Sequence, residues 1–343
     1  MTVATPGQLQ LVEDRSPALR PNTVKLRILA CGVCGSDLAV WQGHRDDPYF
    51  GHEFTGVVTE VGADVKDLKP GMRVTSGLVR SCGICWNCRN GHPNYCRPLG
   101  DVLFPGGFAD ETLVEHSEHF RFLTPLPPEI DDVTGTLHEA VSCVLRIVDR
   151  AGLKAGQSVL VLGLGAIGAL AAELCRGLGA GMVVGMDLNP YRLSTAERLK
   201  IDAVVDRRNE DWLERVRLAV GPQGADVVIE ATGSPKALGD AFRAARLGAT
   251  VVVGSVYHDL AEQLDLLPVM RKELTVVGAK GSYPYLASSE KSLALEAILA
   301  GHFSIREYFG VYSPEEAARA FEDVQAGKYI KPVIRFSEQD SRF

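Results

Sequence analysis

The chain has 343 residues, 46% of them hydrophobic, and carries a formal net charge of −7 with a pI near 5.7. One hydrophobic core rarely organises more than about 250 to 300 residues, so this length predicts two domains. The acidic balance, without a cluster of Lys and Arg, excludes a nucleic-acid partner. The longest apolar run, 159–172, is too short to cross a bilayer and no secretory leader is recognisable, so we expect a cytoplasmic protein with no membrane contact.

Short strands separated by glycine and proline dominate the first third of the sequence. The segment 24–30 alternates apolar with charged side chains, which is typical of a half-buried strand. Similar short segments lie at 9–12, 54–61 and 72–76. This part of the chain is therefore predicted to be an all-β domain.

Four cysteines then fall within fifteen residues: Cys82, Cys85, Cys88 and Cys96. The Gly, Asn and Pro residues between them favour a folded-back loop. Four thiolates suit the tetrahedral coordination of zinc and leave no position for water or substrate, so the pattern predicts a closed, structural zinc site. A disulfide pair, a redox CxxC and an iron–sulfur cluster are the alternatives.

The character of the sequence changes near residue 140. A helix is predicted over 140–151, followed by a buried strand at 159–162, a glycine-rich turn with a helix after it, and a second strand at 182–186. Later buried strands alternate with helical segments, and we place these strands at 226–231, 250–254 and 274–278. This alternation predicts a doubly wound parallel sheet and hence an α/β fold.

The glycine-rich turn indicates a dinucleotide site. It consists of Gly163, Leu164, Gly165, Ala166, Ile167 and Gly168. Its three glycines would allow a tight turn, a close approach of the backbone to pyrophosphate, and close packing of helix on strand. Asp187 ends the next strand and would accept hydrogen bonds from ribose hydroxyls while repelling a 2′-phosphate, which favours NAD over NADP. Arg192 could supply a cation near the ribose, or could be solvated.

A second set of metal-capable residues lies in the first domain. Cys34, Ser36 and Asp37 are followed by the pair His52 and Glu53. A catalytic zinc needs about three protein ligands and one open position. Cys34 and His52 offer a thiolate and an imidazole, and the third ligand could be Glu53 or Glu139.

These motifs together resemble the zinc-dependent medium-chain alcohol and polyol dehydrogenases, in particular the sorbitol and threonine dehydrogenase branch. The matching stretches are Cys31 to Asp37, Gly51 to Glu53, the four-cysteine loop, Gly163 to Gly168 and Asp187, in the family's order. The resemblance covers nearly the whole chain. It implies a GroES-like β-barrel catalytic domain over 1–140 and 280–343, and a Rossmann NAD-binding domain over 141–279.

The resemblance also implies roles for individual residues. Cys34 and His52 would bind the catalytic zinc, with Asp37 orienting His52. The hydroxyl of Ser36 would pass the substrate proton outward. The family commonly continues this relay through a histidine three residues later, where this chain has Ala39.

The third zinc ligand stays open between two glutamates. Glu139 stands where the branch usually carries Glu-Pro-Leu, whereas Glu53 follows the histidine ligand directly. In that branch the two carboxylates can alternate. Helix-dipole stabilisation is the structural alternative for Glu139.

The expected protein is therefore an oxidoreductase with two zinc ions per chain and NAD. We expect it to transfer hydride between a small secondary alcohol, such as a polyol, sugar derivative or amino alcohol, and the cofactor, and to form a homodimer or homotetramer. An NADPH-dependent ketone reductase and a non-catalytic zinc-binding protein are the alternatives. Trp41, His44, Tyr49 and Phe50 could shape the substrate pocket, although packing is the commoner role of aromatic residues.

Overall fold

The computed structural model describes residues 1–13, 18–44, 50–77, 82, 84–96, 106–116, 122–199, 201–257, 263–281 and 292–336. The strands are β1 (Thr2–Thr5), β2 (Gln8–Gln10), β3 (Thr23–Gly32), β4 (Glu53–Val61), β5 (Arg73–Ser76), β6 (Glu111–Glu115), β7 (Leu123–Pro125), β8 (Ser158–Leu162), β9 (Met182–Asp187), β10 (Ala203–Asp206), β11 (Ala225–Glu230), β12 (Ala245–Val253), β13 (Thr275–Gly278), β14 (Phe309–Tyr312) and β15 (Lys331–Arg335).

The α-helices are α1 (Gly35–Trp41), α2 (Trp86–Arg89), α3 (Asp132–Gly135), α4 (Leu137–Ala151), α5 (Ala166–Gly177), α6 (Pro190–Ala196), α7 (Trp212–Val220), α8 (Pro235–Ala244), α9 (Leu267–Arg271), α10 (Leu293–Leu299) and α11 (Ala317–Gln325). Short 3₁₀ turns cover Pro93–Tyr95, Ile305–Tyr308 and Pro314–Glu316. Within the described ranges, no helix has the length and apolarity that a membrane span requires.

The chain divides into two compact units. The first contains Met1–Ser142, Ser282–Leu299 and Phe309–Phe343, and the second contains Cys143–Gly281 and Ala300–Tyr308. The predicted domains place all of 280–343 with the first, whereas the short stretch Ala300–Tyr308 groups with the second unit. Glu173 on α5 explains this grouping, because its carboxylate accepts hydrogen bonds from the backbone and hydroxyl of Ser304.

The first unit is built on a seven-stranded, mainly antiparallel sheet. Its order is β14-β15-β3-β4-β5-β7, with β6 also paired to β3. The long strand β3 therefore contacts three partners, and its inward side chains are fully buried. Aromatic rings fill the core beside it, where Trp41 and Phe50 both pack against Phe321.

These contacts assign Trp41 and Phe50 to the core, which is the packing role weighed for them. His44 is exposed, and Tyr49 lies outside the described residues.

The second unit is a six-stranded parallel sheet in the order β10-β9-β8-β11-β12-β13. All of its pairs are parallel, so the predicted doubly wound sheet is confirmed. The order in which strands are added to the sheet reverses between β8 and β11. Ligands of such folds bind at the carboxyl ends of the strands beside this point. The glycine-rich turn follows β8 directly.

Candidate metal centres and dinucleotide site

The four cysteine sulfurs form a compact group. Neighbouring sulfurs lie 3.5 to 4.0 Å apart, and none is in a disulfide. A tetrahedral zinc with Zn–S bonds of about 2.3 Å needs S···S edges of about 3.8 Å, which the observed separations match. Within this loop the chain forms the short helix α2 and the 3₁₀ turn Pro93–Tyr95.

Backbone amides prepare this loop for anionic sulfur. The N–H of Cys85 donates to Cys82 Sγ at 3.3 Å, and the N–H of Cys82 donates to Cys96 Sγ at 3.4 Å. Burial alone would raise the pKa of Cys82, but the N–H groups of Ile84 and Cys85 lower it to about 6. The thiolate, which is the form that binds metal, is therefore favoured at Cys82, whereas burial raises the pKa of Cys96 to about 12.

The second metal-capable set is assembled where β3 ends and β4 begins. Cys34, His52 and Glu53 each place a ligand atom within 4.8 Å of the other two. The β3–β4 pairing brings them together, because Gly32 lies directly opposite Glu53 in the ladder. The site is thus assembled by antiparallel pairing and contains one sulfur, one nitrogen and one oxygen donor.

The Asp37 carboxylate accepts hydrogen bonds from the backbone on both sides of this set, at Cys34 and next to His52. Its Oδ2 accepts a hydrogen bond from the Cys34 N–H at 2.8 Å, and its Oδ1 accepts one from the Gly51 N–H at 3.0 Å. Oδ1 also faces His52 Nδ1 at 3.7 Å. The buried carboxylate therefore faces the Nδ1 side of the imidazole, which leaves Nε2 as the nitrogen to bind a metal.

The electrostatics of the set reflect its burial. Burial alone would lower the pKa of His52, but Asp37, Cys34 and Glu139 raise it well above the usual value. Burial raises the pKa of Asp37, against the opposing charge of His52. A cluster in which anionic groups surround one imidazole is suited to a cation.

Glu139 stands in the first turn of α4 and is buried. It does not belong to the group whose ligand atoms all lie within 4.8 Å, yet its charge raises the pKa of both His52 and Lys331. The structure thus brings both candidate glutamates to this centre, with Glu53 the closer to Cys34 and His52.

Ser76, at the end of β5, connects these elements. Its hydroxyl donates to the His52 carbonyl at 2.6 Å and accepts from the Phe54 N–H at 2.9 Å. Its own carbonyl accepts a hydrogen bond from His138 Nδ1 at 2.8 Å. Ser76 thereby fixes the strand that carries His52 and Glu53 to the helix start that carries Glu139.

His138 extends this connection to α10. Since Nδ1 donates to the Ser76 carbonyl, Nε2 of the neutral ring accepts from the Ser292 hydroxyl, 2.8 Å away. Burial lowers the pKa of His138, which keeps the ring neutral. Sequence reasoning missed Ser76, His138 and Ser292, because a lone Ser or His carries no spacing signal.

Ser36, the residue predicted to pass the substrate proton outward, lies on α1 together with Ala39. Ser36 is half-buried in its first turn, and Ala39 is buried one turn later. The backbone N–H of His44 donates to the Ala39 carbonyl, while its side chain is exposed.

The glycine-rich turn connects the end of β8 to the start of helix α5. Gly163 has φ +88°, and a Cβ there would lie 2.8 Å from Thr232 Cγ2. A Cβ on Gly168 would overlap the Gly163 carbonyl oxygen at 1.7 Å. Ala166 and Ile167 form the first residues of α5, so their N–H groups lie at a helix start, where anions are stabilised.

Asp187 ends β9 beside this turn. Its Oδ2 accepts from the Leu164 N–H at 2.6 Å, and its Oδ1 accepts from the N–H groups of Leu188 and Asn189. Arg192 Nη1 lies 3.6 Å from Asp187 Oδ2, and its guanidinium lies 3.8 Å from the position of a Cβ on Gly165. The acid, the cation and the glycine turn therefore form one group.

Comparison with protein families gives two matches along the chain. Residues 20–128 match the alcohol dehydrogenase GroES-like domain, and residues 166–299 match the zinc-binding dehydrogenase domain. The chain is 32% identical over 329 residues to D-xylulose reductase A from Aspergillus niger, covering 92% of this chain and 89% of that protein.

Solved structures give the same result. A protein from Sinorhizobium meliloti, described as a zinc-binding dehydrogenase and bound to NADP, has a TM-score of 0.85 at 29% identity, over 97% of this chain and 98% of that one. The 2R,3R-butanediol dehydrogenase from Bacillus subtilis has a TM-score of 0.82 at 27% identity, over 96% and 97% of the two chains. The resemblance drawn from the motifs is confirmed, as is the GroES-like plus Rossmann fold.

Proposed function

Because the chain belongs to the zinc-dependent alcohol and polyol dehydrogenases, we propose that it transfers hydride between a secondary alcohol and NAD. The observation that carries this proposal is the meeting of Cys34, His52 and Glu53 within 4.8 Å. That donor set, unlike the four-cysteine loop, has too few ligands to close a zinc shell, so substrate oxygen has a place.

The donor chemistry fits zinc, which accepts thiolate, imidazole and carboxylate ligands. Cys34, His52 and either Glu53 or Glu139 would hold the ion, and Asp37 would orient His52. When bound, zinc supplies a Lewis acid that lowers the pKa of the substrate hydroxyl, and NAD accepts the hydride.

The chain's own residues would handle the proton. Ser36 stands two residues after Cys34, with a hydroxyl that can accept a proton and donate another. Ala39 has no such group, so the proton released through Ser36 leaves by water or a cofactor hydroxyl.

NAD is the proposed cofactor because Asp187 ends β9 beside the glycine turn, where we expect it to face the ribose. Three backbone N–H donors hold its two oxygens beside the glycine turn, where a carboxylate would repel a 2′-phosphate. Arg192 favours the second candidate, NADP, because its guanidinium beside Gly165 could pair with that phosphate. The Sinorhizobium relative bound to NADP gives this candidate further support.

A cofactor titration separates the two candidates. We expect kcat/KM with NAD to exceed that with NADP by about 100-fold, and Asp187→Ala to erase most of this preference. Asp206→Asn is the matched control, because Asp206 ends the adjacent strand in register with Asp187 and its carboxylate pairs with Arg208. Equal use of both cofactors by the unaltered protein would contradict the NAD assignment.

The substrate class is proposed from the relatives. D-xylulose is a ketose and 2,3-butanediol a vicinal diol, so both names point to a secondary carbinol beside another hydroxyl. A panel of alcohols followed by NADH absorbance should show faster turnover of polyols than of ethanol. Preference for short primary alcohols would contradict this class.

We also propose assembly with a second copy of the chain through the edge of the parallel sheet. The strand β13 ends that sheet, and Val276 on it is 41% exposed. Met270 on the preceding helix α9 is 68% exposed. Sedimentation should show a dimer or tetramer that Val276→Glu weakens, since a charge on a flat apolar edge opposes pairing. A monomeric unaltered protein at micromolar concentration would contradict this proposal.

A further inference from the structure

The metal centre contains a buried cation that lies far from it in sequence. Lys331, the first residue of β15, donates to Glu53 Oε2, and both side chains are only 2% exposed. Burying an ammonium and a carboxylate costs free energy unless the two are paired. A pair so fully removed from water, beside residues that can bind a metal, calls for a functional explanation.

The pair is formed across three strands. β3 lies between β4 and β15, with Gly32 opposite Glu53 on one side and opposite Val333 on the other. Lys331 is two residues before Val333 and so lies on the same face. A Cβ on Gly32 would lie 2.7 Å from Glu53 Oε2 and 2.8 Å from Lys331 Cε. The two side chains therefore meet over Gly32, where the absence of a Cβ leaves room for both.

The charges around the site explain why a cation is needed. Glu53, Cys34 and Glu139 are the acidic groups that interact with the Lys331 ammonium. The negative charge of these three groups exceeds that of one divalent ion by one, and the buried Asp37 carboxylate adds to the excess. Lys331 supplies a compensating positive charge.

We propose that Lys331 is a positioning residue of the metal centre, holding Glu53 by one carboxylate oxygen and limiting how strongly that carboxylate binds the metal. The inference rests on the proposed zinc-dependent function. It gives the two glutamates different roles, because Lys331 donates a hydrogen bond to Glu53 and acts on Glu139 through its charge.

The test measures metal affinity rather than turnover. Co²⁺ binding to the full chain, with the four-cysteine site loaded with zinc, would be followed by its visible absorption and by competition with a chelator. We expect Lys331→Met to raise Co²⁺ affinity about tenfold and to shift the absorption bands, because the buried carboxylate loses its competing cation. Lys331→Arg should restore an affinity closer to that of the unaltered protein.

Two comparisons isolate the pair. Lys328→Met is the matched control, since Lys328 pairs with Asp323 at a half-exposed position and should leave Co²⁺ affinity unchanged. On a Glu53→Gln background, adding Lys331→Met should have little effect, because the carboxylate that it regulates is gone. Should Lys331→Met not fold, Gly32→Ala displaces the pair while keeping both charges and should change the affinity in the same direction.

An unchanged or lower Co²⁺ affinity in Lys331→Met, or an undiminished effect on the Glu53→Gln background, would overturn the inference. Failure of the proposed function has a different signature. In that case the unaltered protein would bind no metal beyond the four-cysteine site, or would bind it and oxidise no alcohol.

Discussion

The first unit holds two metal-capable sites that are built in opposite ways. The four-cysteine site comes from one stretch, Cys82 to Cys96, and has four identical donors. The other site takes donors from the ends of β3 and β4, with a glutamate on α4 nearby and a lysine on β15. The first is a local loop and the second depends on the folded sheet.

This difference fits a structural role for the four-cysteine site and a catalytic role for the mixed site. A closed shell of four thiolates needs few supporting groups, because all four ligands come from one loop of fifteen residues. The mixed site, as proposed, would leave a position for substrate, so its geometry would have to come from surrounding residues such as Asp37, Ser76 and Lys331. Loss of either site should therefore have distinct consequences.

The largest effect is expected for Cys34→Ser. Turnover should fall by at least about 10³-fold, because the substrate loses its Lewis acid, and zinc should fall from two ions per chain to one. Cys143→Ser is the matched control, since Cys143 belongs to neither metal-capable group. Metal analysis and the NAD-linked rate measure both quantities. An active Cys34→Ser variant would break the distinction between the sites.

Cys85→Ser should have the reverse profile. We expect one zinc to be lost, the 82–96 loop to become protease-sensitive, and Tm to fall by about 5–10 °C, with kcat retained to within about tenfold. Ile84→Ser tests an exposed residue of the same loop without removing a donor. Calorimetry and limited proteolysis provide the measurement. A Cys85→Ser variant as stable and as fully assembled as the unaltered protein would show that this site is dispensable.

The smallest effect is expected for Ser76→Ala. The substitution removes the hydroxyl that joins His52 and Phe54 and leaves the buried Phe54 N–H unpaired, at a cost of about 1–3 kcal/mol in the free energy of unfolding. Turnover should fall by about tenfold while both zinc ions stay bound. Ser194→Ala, on an exposed helix surface, serves as the control in the same denaturant titration. Unchanged stability would mean that the mixed site does not need this connection.

The sequence allowed prediction of whatever is local. The parallel sheet follows from buried apolar runs alternating with helical segments, and the four-cysteine loop and the glycine turn are visible in their spacing. Five strands, β1, β6, β7, β10 and β14, were not predicted because each has only three to five residues, too few to show a clear pattern.

The remaining features depend on contacts between distant residues. No periodicity relates Glu53 to Lys331, and no motif marks Ser76 or His138. Their roles come from strand register and from the burial of charges, which only the folded chain defines. The assignment of Trp41 and Phe50 likewise depends on their contact with Phe321 on α11.

The separation of 278 residues between Glu53 and Lys331 has a consequence for synthesis and folding. A ribosome releases the chain from its N-terminal end, so Glu53, His52 and Cys34 leave it long before β15 exists. Until that last strand pairs with β3, the Glu53 carboxylate has to remain in water or find another cation. Pulse-labelled nascent chains should therefore acquire the four-cysteine metal first and complete the mixed site only once Lys331 has left the ribosome.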